Sequence, residues 1–299
     1  MDKFFLRLIS FFSPVLRKTG VNIAQLHEIL RVKLLIDARR PKTLFAKRRN
    51  NAKPTSPWFA SFFTLLIGFF ISMLLMLNDM PLAGHTFYFT IFMVFMAFTL
   101  VSDFSTVLFD VRDQFILLPR PVDDRTIAVS RILHIAIYIL RMALLMGLPG
   151  LVMAGIADKS VAAGLLMLVQ IIEATFLCIL MVNLVYLLMM RSVSPQRFKD
   201  IISYFQIAFS VLIFAVYYLL PRLINVSVLG KINLLSHWWS YLLPPVWIAA
   251  LNEALIHPGR ASLPVVLLAL AGLVLPVAGL WFVARVLAPG FNKRHEVLA

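Results

Sequence analysis

Two charged side chains, Arg141 and Glu173, stand deep inside long apolar runs. An isolated charge at the centre of a bilayer costs ~2.5–3.5 kcal/mol on insertion scales, so such residues need partners or a function. Arg141 precedes Asp158 by 17 positions and Glu173 follows it by 15, so antiparallel helices joined at the turn Ala157-Asp158-Lys159-Ser160 would bring the two charges to similar depth. The economical reading is an intramembrane structural ion pair. A proton or substrate relay would need more than one pair to make a path.

Other chemistries find little footing. The sequence contains no G-x-x-x-x-G-K-[ST] phosphate loop, no H-E-x-x-H, no G-x-S-x-G and no C-x-x-C, so neither ATP hydrolysis through a phosphate loop nor these hydrolase and redox chemistries are expected of this chain. The histidines at 27, 85, 134, 237, 257 and 295 lack ligand spacing, which argues against a metal centre and for packing or interfacial roles. The single cysteine, Cys178, lies in an apolar run and reads as a small core residue. The net charge of +14 does not point to nucleic acid, because 13 of the 28 Lys and Arg residues precede residue 54, beside apolar segments where anionic lipid headgroups account for them. Lys3, Arg7 and Arg17 interrupt the N-terminal apolar residues, so no cleavable signal peptide is expected.

The elements that must position these residues are helices. With 61% hydrophobic residues, a mean hydropathy of +0.89 and recurrent apolar runs of helix length, the chain reads as an all-α polytopic membrane protein. Six transmembrane helices are expected, from about Trp58 to Leu77, Thr86 to Leu108, Ile132 to Ile156, Val161 to Met189, Ile201 to Leu220 and Leu263 to Leu287. Residues 1–54 form an N-terminal amphipathic region, 55–292 the transmembrane domain and 293–299 a tail. In the first of these, Ile23, Leu26, Leu30 and Leu34 make a stripe opposed by Glu28, Arg31 and Lys33, which suits a helix lying in the headgroup plane. Gly147, Pro149 and Gly150 would kink or loosen the third span. Asp103 is expected to reach interfacial water, and the phenylalanine-rich runs of the first two spans are expected to face lipid.

Between the second and third spans lies a polar island, Asp110 to Arg131. Pro119-Arg120-Pro121 ends one helix near Leu118, because a proline removes an amide donor and pushes the residue before it out of helical geometry. A new helix can start at Pro121, with Asp123 and Asp124 complementing its positive dipole end. Arg112, Arg120, Arg125 and Arg131 mark the cytoplasmic side, which the N-terminal region, the 191–199 loop and the tail share, so both termini are expected in the cytoplasm. The segment from Leu234 to Ile256 is not counted as a span. Pro244-Pro245 divides it into pieces too short to cross, and Trp238, Trp239, Tyr241 and Trp247 favour an interface. It reads as short outer helices or a shallow re-entrant hairpin.

Asp110 and the segment LLPRPVDDRTIAVSR, Leu117 to Arg131, resemble the coupling segment of the membrane subunits of ABC-2 type exporters. LHEILRVKLLIDARRP, Leu26 to Pro41, is similar to that family's connecting helix, and YLLPPVWIAAL to its outer segment before the last span. The resemblance covers most of the chain. It implies a permease subunit in a bacterial inner membrane, docked through Asp110, Arg112, Leu118, Pro119, Arg120, Pro121, Asp123, Asp124, Arg125 and Arg131 onto a separate ATP-binding subunit. No cofactor is expected on this chain, since ATP and Mg would sit on that partner. Longer relatives carry a second membrane half, so pairing with itself or with another half is implied. The rival readings are an ion-coupled secondary transporter centred on Arg141 and Glu173, and a membrane scaffold without transport.

Overall fold

The computed structural model describes residues 22–39, 57–76, 81–108, 124–192, 200–201, 203–208, 210–211 and 234–282. They form α1 (Ile23–Arg39), α2 (Pro57–Ser72), α3 (Pro81–Leu108), α4 (Asp124–Ala157), α5 (Val161–Ser192), α6 (Pro244–Ile256) and α7 (Leu263–Phe282), with short 3-10 turns and no strand among the described residues. Three helices are long and apolar enough to cross a membrane, over Pro81–Val101 in α3, Ala136–Ala157 in α4 and Val161–Val185 in α5. Two apolar helices are shorter, Ser61–Met76 and Leu263–Gly279. Of the expected span at 201–220, positions 201, 203–208, 210 and 211 are described, and they are helical.

The first expected span, about Trp58 to Leu77, is helical from Pro57 to Met76. The Ser72 hydroxyl donates to the Phe69 carbonyl at 2.7 Å, and the chain tightens there into a 3-10 turn, Met73–Met76. The turn between α4 and α5 falls where the sequence placed it. Lys159 sits at φ 48°, the left-handed position that closes a helix, with Ser160 N–H donating to Gly155 at 3.1 Å and Lys159 N–H to Ile156 at 3.3 Å.

The chain divides into two compact units, Met1–Leu66 with Leu108–Leu145, and Ile67–Val107 with Met146–Ala299. In the first, α1 is capped by Asn22, whose Oδ1 accepts from Ala24 and Gln25 N–H at 3.2 and 3.3 Å. Asn22 N–H in turn donates to Thr126 Oγ1 at 3.2 Å, which fixes the start of α1 to the start of α4. Leu26, Leu30 and Leu34 are buried with Ile137, against Val129, Leu133, Leu140 and Leu144. The apolar stripe expected to lie in the headgroup plane is therefore covered by the chain's own α4, while Val32 and Leu35 remain half-exposed.

In the second unit the two phenylalanine-rich runs part company. Phe62 and Phe63 of α2, in the first unit, and Phe69 and Phe70, in the second, are exposed, as expected of side chains facing lipid. Tyr88, Phe89 and Phe92 of α3 are instead fully buried, with the Tyr88 and Phe89 rings edge to face at 5.0 Å, so this run meets protein on one face and is exposed only on the other, at Ile91 and Val94. Gly150 lets the Tyr88 hydroxyl reach the α4 backbone, and Gly147 does the same for the Ile171 side chain. These glycines serve close packing, and α4 stays helical through Pro149. The prolines near residue 244 divide the 234–256 segment as expected, into 3-10 turns at Leu234–Ser236 and Trp238–Leu242 followed by the 13-residue α6. Trp238 and Trp239 are exposed, but α6 itself is mostly buried and packs on α5 and α7, with Val246, Ala250, Leu251, Val265, Leu268 and Ala269 in one core.

Candidate functional site

Of the residues expected to dock a partner, Asp124, Arg125 and Arg131 lie in the first turns of α4. Asp110, Arg112, Leu118, Pro119, Arg120, Pro121 and Asp123 lie outside the described residues. The helix expected from Pro121 is described from Asp124 onward.

Arg141 lies in the first unit, half-buried, and Glu173 lies in the second. Glu173 is buried on α5, and neither of its carboxylate oxygens has a hydrogen-bond partner among the described residues. One turn earlier, Gln170 donates through Nε2 to the Ile248 carbonyl at 2.8 Å, while its Oε1 is likewise unpartnered. This seam, where α5 meets α6 and α7, thus holds three acceptor oxygens without a partner among the described residues.

Gly272 makes the approach possible. A β-carbon there would collide with Glu173 Oε1 and lie 3.3 Å from both the carbonyl carbon and the Cβ of Trp247. Gly272→Ala is expected to destabilise the protein by about 1–3 kcal/mol through overpacking. Adding Glu173→Ala should recover part of that loss, because the two residues share the contact. A double-mutant cycle on the thermal unfolding midpoint checks this, and strictly additive effects would remove Glu173 from the face of Gly272.

A second polar group, not anticipated from the sequence, gathers on the α4–α5 turn. Asp158 accepts from Asn252 Nδ2 through Oδ2 at 3.1 Å and meets His257 Nε2 through Oδ1 at 3.2 Å. These contacts join residues 94 and 99 positions apart, and the Asp158 side chain is only 5% exposed. His85, at the start of α3, lies within electrostatic reach of Asp158 and His257. Its Nδ1 is 3.0 Å from the Pro81 carbonyl, which makes Nδ1 the donor and leaves Nε2 as a buried, unpartnered acceptor in the neutral ring. Asn252 Oδ1 and Glu253 Oε2 are also buried without partners among the described residues. Burial pushes the Glu253 carboxyl above the usual range, against the pull of His257 and Arg260, with Asp158 adding to the rise. The available signal was Asn252-Glu253, two polar residues inside an otherwise apolar short helix, but nothing local tied them to Asp158.

No metal-ligating group of three or more His, Cys, Asp or Glu side chains occurs among the described residues. Comparison with family models, with curated proteins and with solved structures finds no match.

Proposed function

We propose that this chain is the membrane-spanning permease subunit of an ATP-driven exporter of the ABC-2 type, multi-pass in a bacterial inner membrane with both termini cytoplasmic. The observation that carries the reading is the coupling-like island from Asp110 to Arg131 together with what lies against its far end. The island leads into α4, and α1, the counterpart of the connecting helix, is fixed to the first turns of α4 through Asn22 and Thr126 and through the cluster around Leu30. A partner that hydrolyses ATP and pushes on the island would move α1 and the start of α4 together. The full architecture in this reading has six spans, in a homodimer or paired with a second membrane half, with ATP and Mg held by the separate subunit.

The test is gentle extraction of the tagged chain from its native membranes, identification of co-purifying proteins and assay of vanadate-sensitive ATP hydrolysis. A phosphate-loop ATPase should co-purify, and replacing Arg120 and Arg125 together with Glu should weaken its association without blocking membrane insertion. Unchanged co-purification of the double variant would remove residues 120 and 125 from the docking surface. Absence of any ATPase from an intact assembly would remove the reading itself.

One observation favours a second reading. The bare acceptors at Glu173 and Gln170 suit a proton or cation site in an ion-coupled carrier, since a buried carboxylate without donors calls for a bound positive charge. Transport driven by an ion gradient in the absence of ATP would favour that carrier.

A further inference from the structure

We propose that the seam between α5 and α6 binds one monovalent metal cation, which rests on Glu173 and Gln170 and enters from the α4–α5 turn. The inference deepens the ion-coupled reading and rests on it, not on the ATPase. Every residue it uses lies in the second unit.

Three helices build the resting place. Gln170 and Glu173 stand one turn apart on α5, where positions i and i+3 are neighbours on the helix surface, and they are 0% and 5% exposed. The Nε2 of Gln170 is engaged by the Ile248 carbonyl at 2.8 Å, which aims the amide at α6 and leaves Oε1 bare. Glu173 reaches α7 where Gly272 faces Trp247, the residue before Ile248. Two carboxylate oxygens and one amide oxygen therefore meet at one level of α6, with no donor to them among the described residues.

Acceptors continue from there toward the α4–α5 turn. α6 runs antiparallel to the first half of α5, since Trp247 lies at the level of Glu173 while Asn252 and His257 meet Asp158, just before Val161. Asn252 follows Ile248 by four positions and so stands on the same face of α6. Its Nδ2 holds Asp158 at 3.1 Å, while its Oδ1 and the neighbouring Glu253 Oε2 are buried and unpartnered among the described residues. From Val161 to Glu173 the line extends about 18 Å along α5, at 1.5 Å per residue. Its amide donors, Gln170 Nε2 and Asn252 Nδ2, are both engaged, so what it offers a visitor is acceptors.

Such a lining selects a cation and sets its charge. Carboxylate and amide oxygens suit hard metal ions and not soft ones. One carboxylate at the resting place balances one positive charge, whereas divalent ions are commonly held by several, and no group of three or more His, Cys, Asp or Glu side chains occurs among the described residues. A proton would satisfy one acceptor. A metal ion draws several oxygens to itself at once, which is what Gln170 beside Glu173 supplies. Binding it also removes the cost of a buried carboxylate without compensation.

Labelling of Glu173 with dicyclohexylcarbodiimide, which attacks carboxyl groups in apolar surroundings, tests the site on the full chain in lipid nanodiscs. The label is read by mass spectrometry at fixed pH and ionic strength, with sodium, lithium or potassium chloride replacing N-methylglucamine chloride. At least one of the three ions should protect Glu173, by about tenfold when present at about ten times its dissociation constant. Gln170→Leu should move that protection to higher salt, and Glu253→Leu should delay its onset after the salt is added. Equal labelling of Glu173 in all four salts would overturn the site, as would protection by magnesium or calcium and by no alkali ion. Protection unchanged in Gln170→Leu would overturn the ligand pair, and an onset unchanged in Glu253→Leu would overturn entry from the turn. Gradient-driven transport with Glu173 unprotected would remove the site and keep the carrier, whereas protection without such transport would keep the site and remove the carrier.

Discussion

Gly68→Ala is expected to lower the unfolding midpoint by several degrees, although helix propensity alone predicts the opposite sign. Replacing a glycine by alanine inside a helix ordinarily gains up to ~1 kcal/mol. Here the new methyl group would collide with the Met146 carbonyl oxygen of α4 and sit 2.9 Å from its carbonyl carbon and 3.1 Å from its Cα. All three atoms are backbone, so no rotamer change relieves the overlap. At Gly150 and Gly147, by contrast, the obstructing atoms belong to the Tyr88, Met167 and Ile171 side chains and not to backbone. At Gly68 the helices themselves must separate, which puts the cost at about 3 kcal/mol, the upper part of the range for overpacking. Gly259, with nothing within 4 Å of an added β-carbon, is the matched control, and Gly259→Ala should leave the midpoint nearly unchanged. Thermal unfolding of both variants in the same detergent makes the comparison. A Gly68→Ala variant as stable as the control would mean that α2 does not meet α4 at Met146.

Local chemistry in this chain was legible wherever one stretch sufficed to determine it. The turn at residues 157–160 and the break at Pro244-Pro245 stand where the sequence places them, because a charged four-residue gap between apolar runs and a proline pair act through the backbone nearby. What the sequence hid was the cover on each apolar face. Phe69 and Phe92 lie in runs of nearly the same composition, yet one is exposed and the other fully buried. A helix apolar all round carries no moment to say which side meets protein. The stripe of Leu26, Leu30 and Leu34 was plain, but an amphipathic pattern reads alike whether lipid or another helix lies against it, and here the cover is α4. The polar group at Asp158 was the least legible. Its partners are far along the chain, and each of them alone is an ordinary polar residue near a helix end.

Leu30→Asp is expected to detach α1 while leaving the rest of the fold standing. Leu30 is fully buried between Leu26 and Leu34 and against the α4 side chains, with no cation among the members of that cluster, so a carboxylate there would lose its hydration without compensation. Keeping it buried would cost about 4 kcal/mol or more, in the class of the most damaging single changes. Releasing α1 in this variant costs the burial of the two remaining leucines, Leu26 and Leu34, at ~1.5–3 kcal/mol each, a cost of the same order, so the helix should spend much of its time free. Leu35→Asp is the control, because Leu35 is 51% exposed on another face and its replacement leaves the α4 contact intact. Limited trypsin digestion separates the two, with cleavage after Arg31 and Lys33 fast in Leu30→Asp and slow in Leu35→Asp. Equal cleavage would mean that the stripe is not held by α4. The same variant probes the coupling proposed for the island, since α1 is fixed to α4 at the island's far end and just beyond it. Replacing Arg120 and Arg125 removes a docking surface and should reduce the amount of ATPase bound. Leu30→Asp leaves that surface in place and loosens what stands behind it, so the ATPase should still bind while substrate no longer stimulates hydrolysis. Loss of binding in both variants would make α1 part of the docking surface itself, and full stimulation in Leu30→Asp would mean that the push on the island reaches α4 without α1.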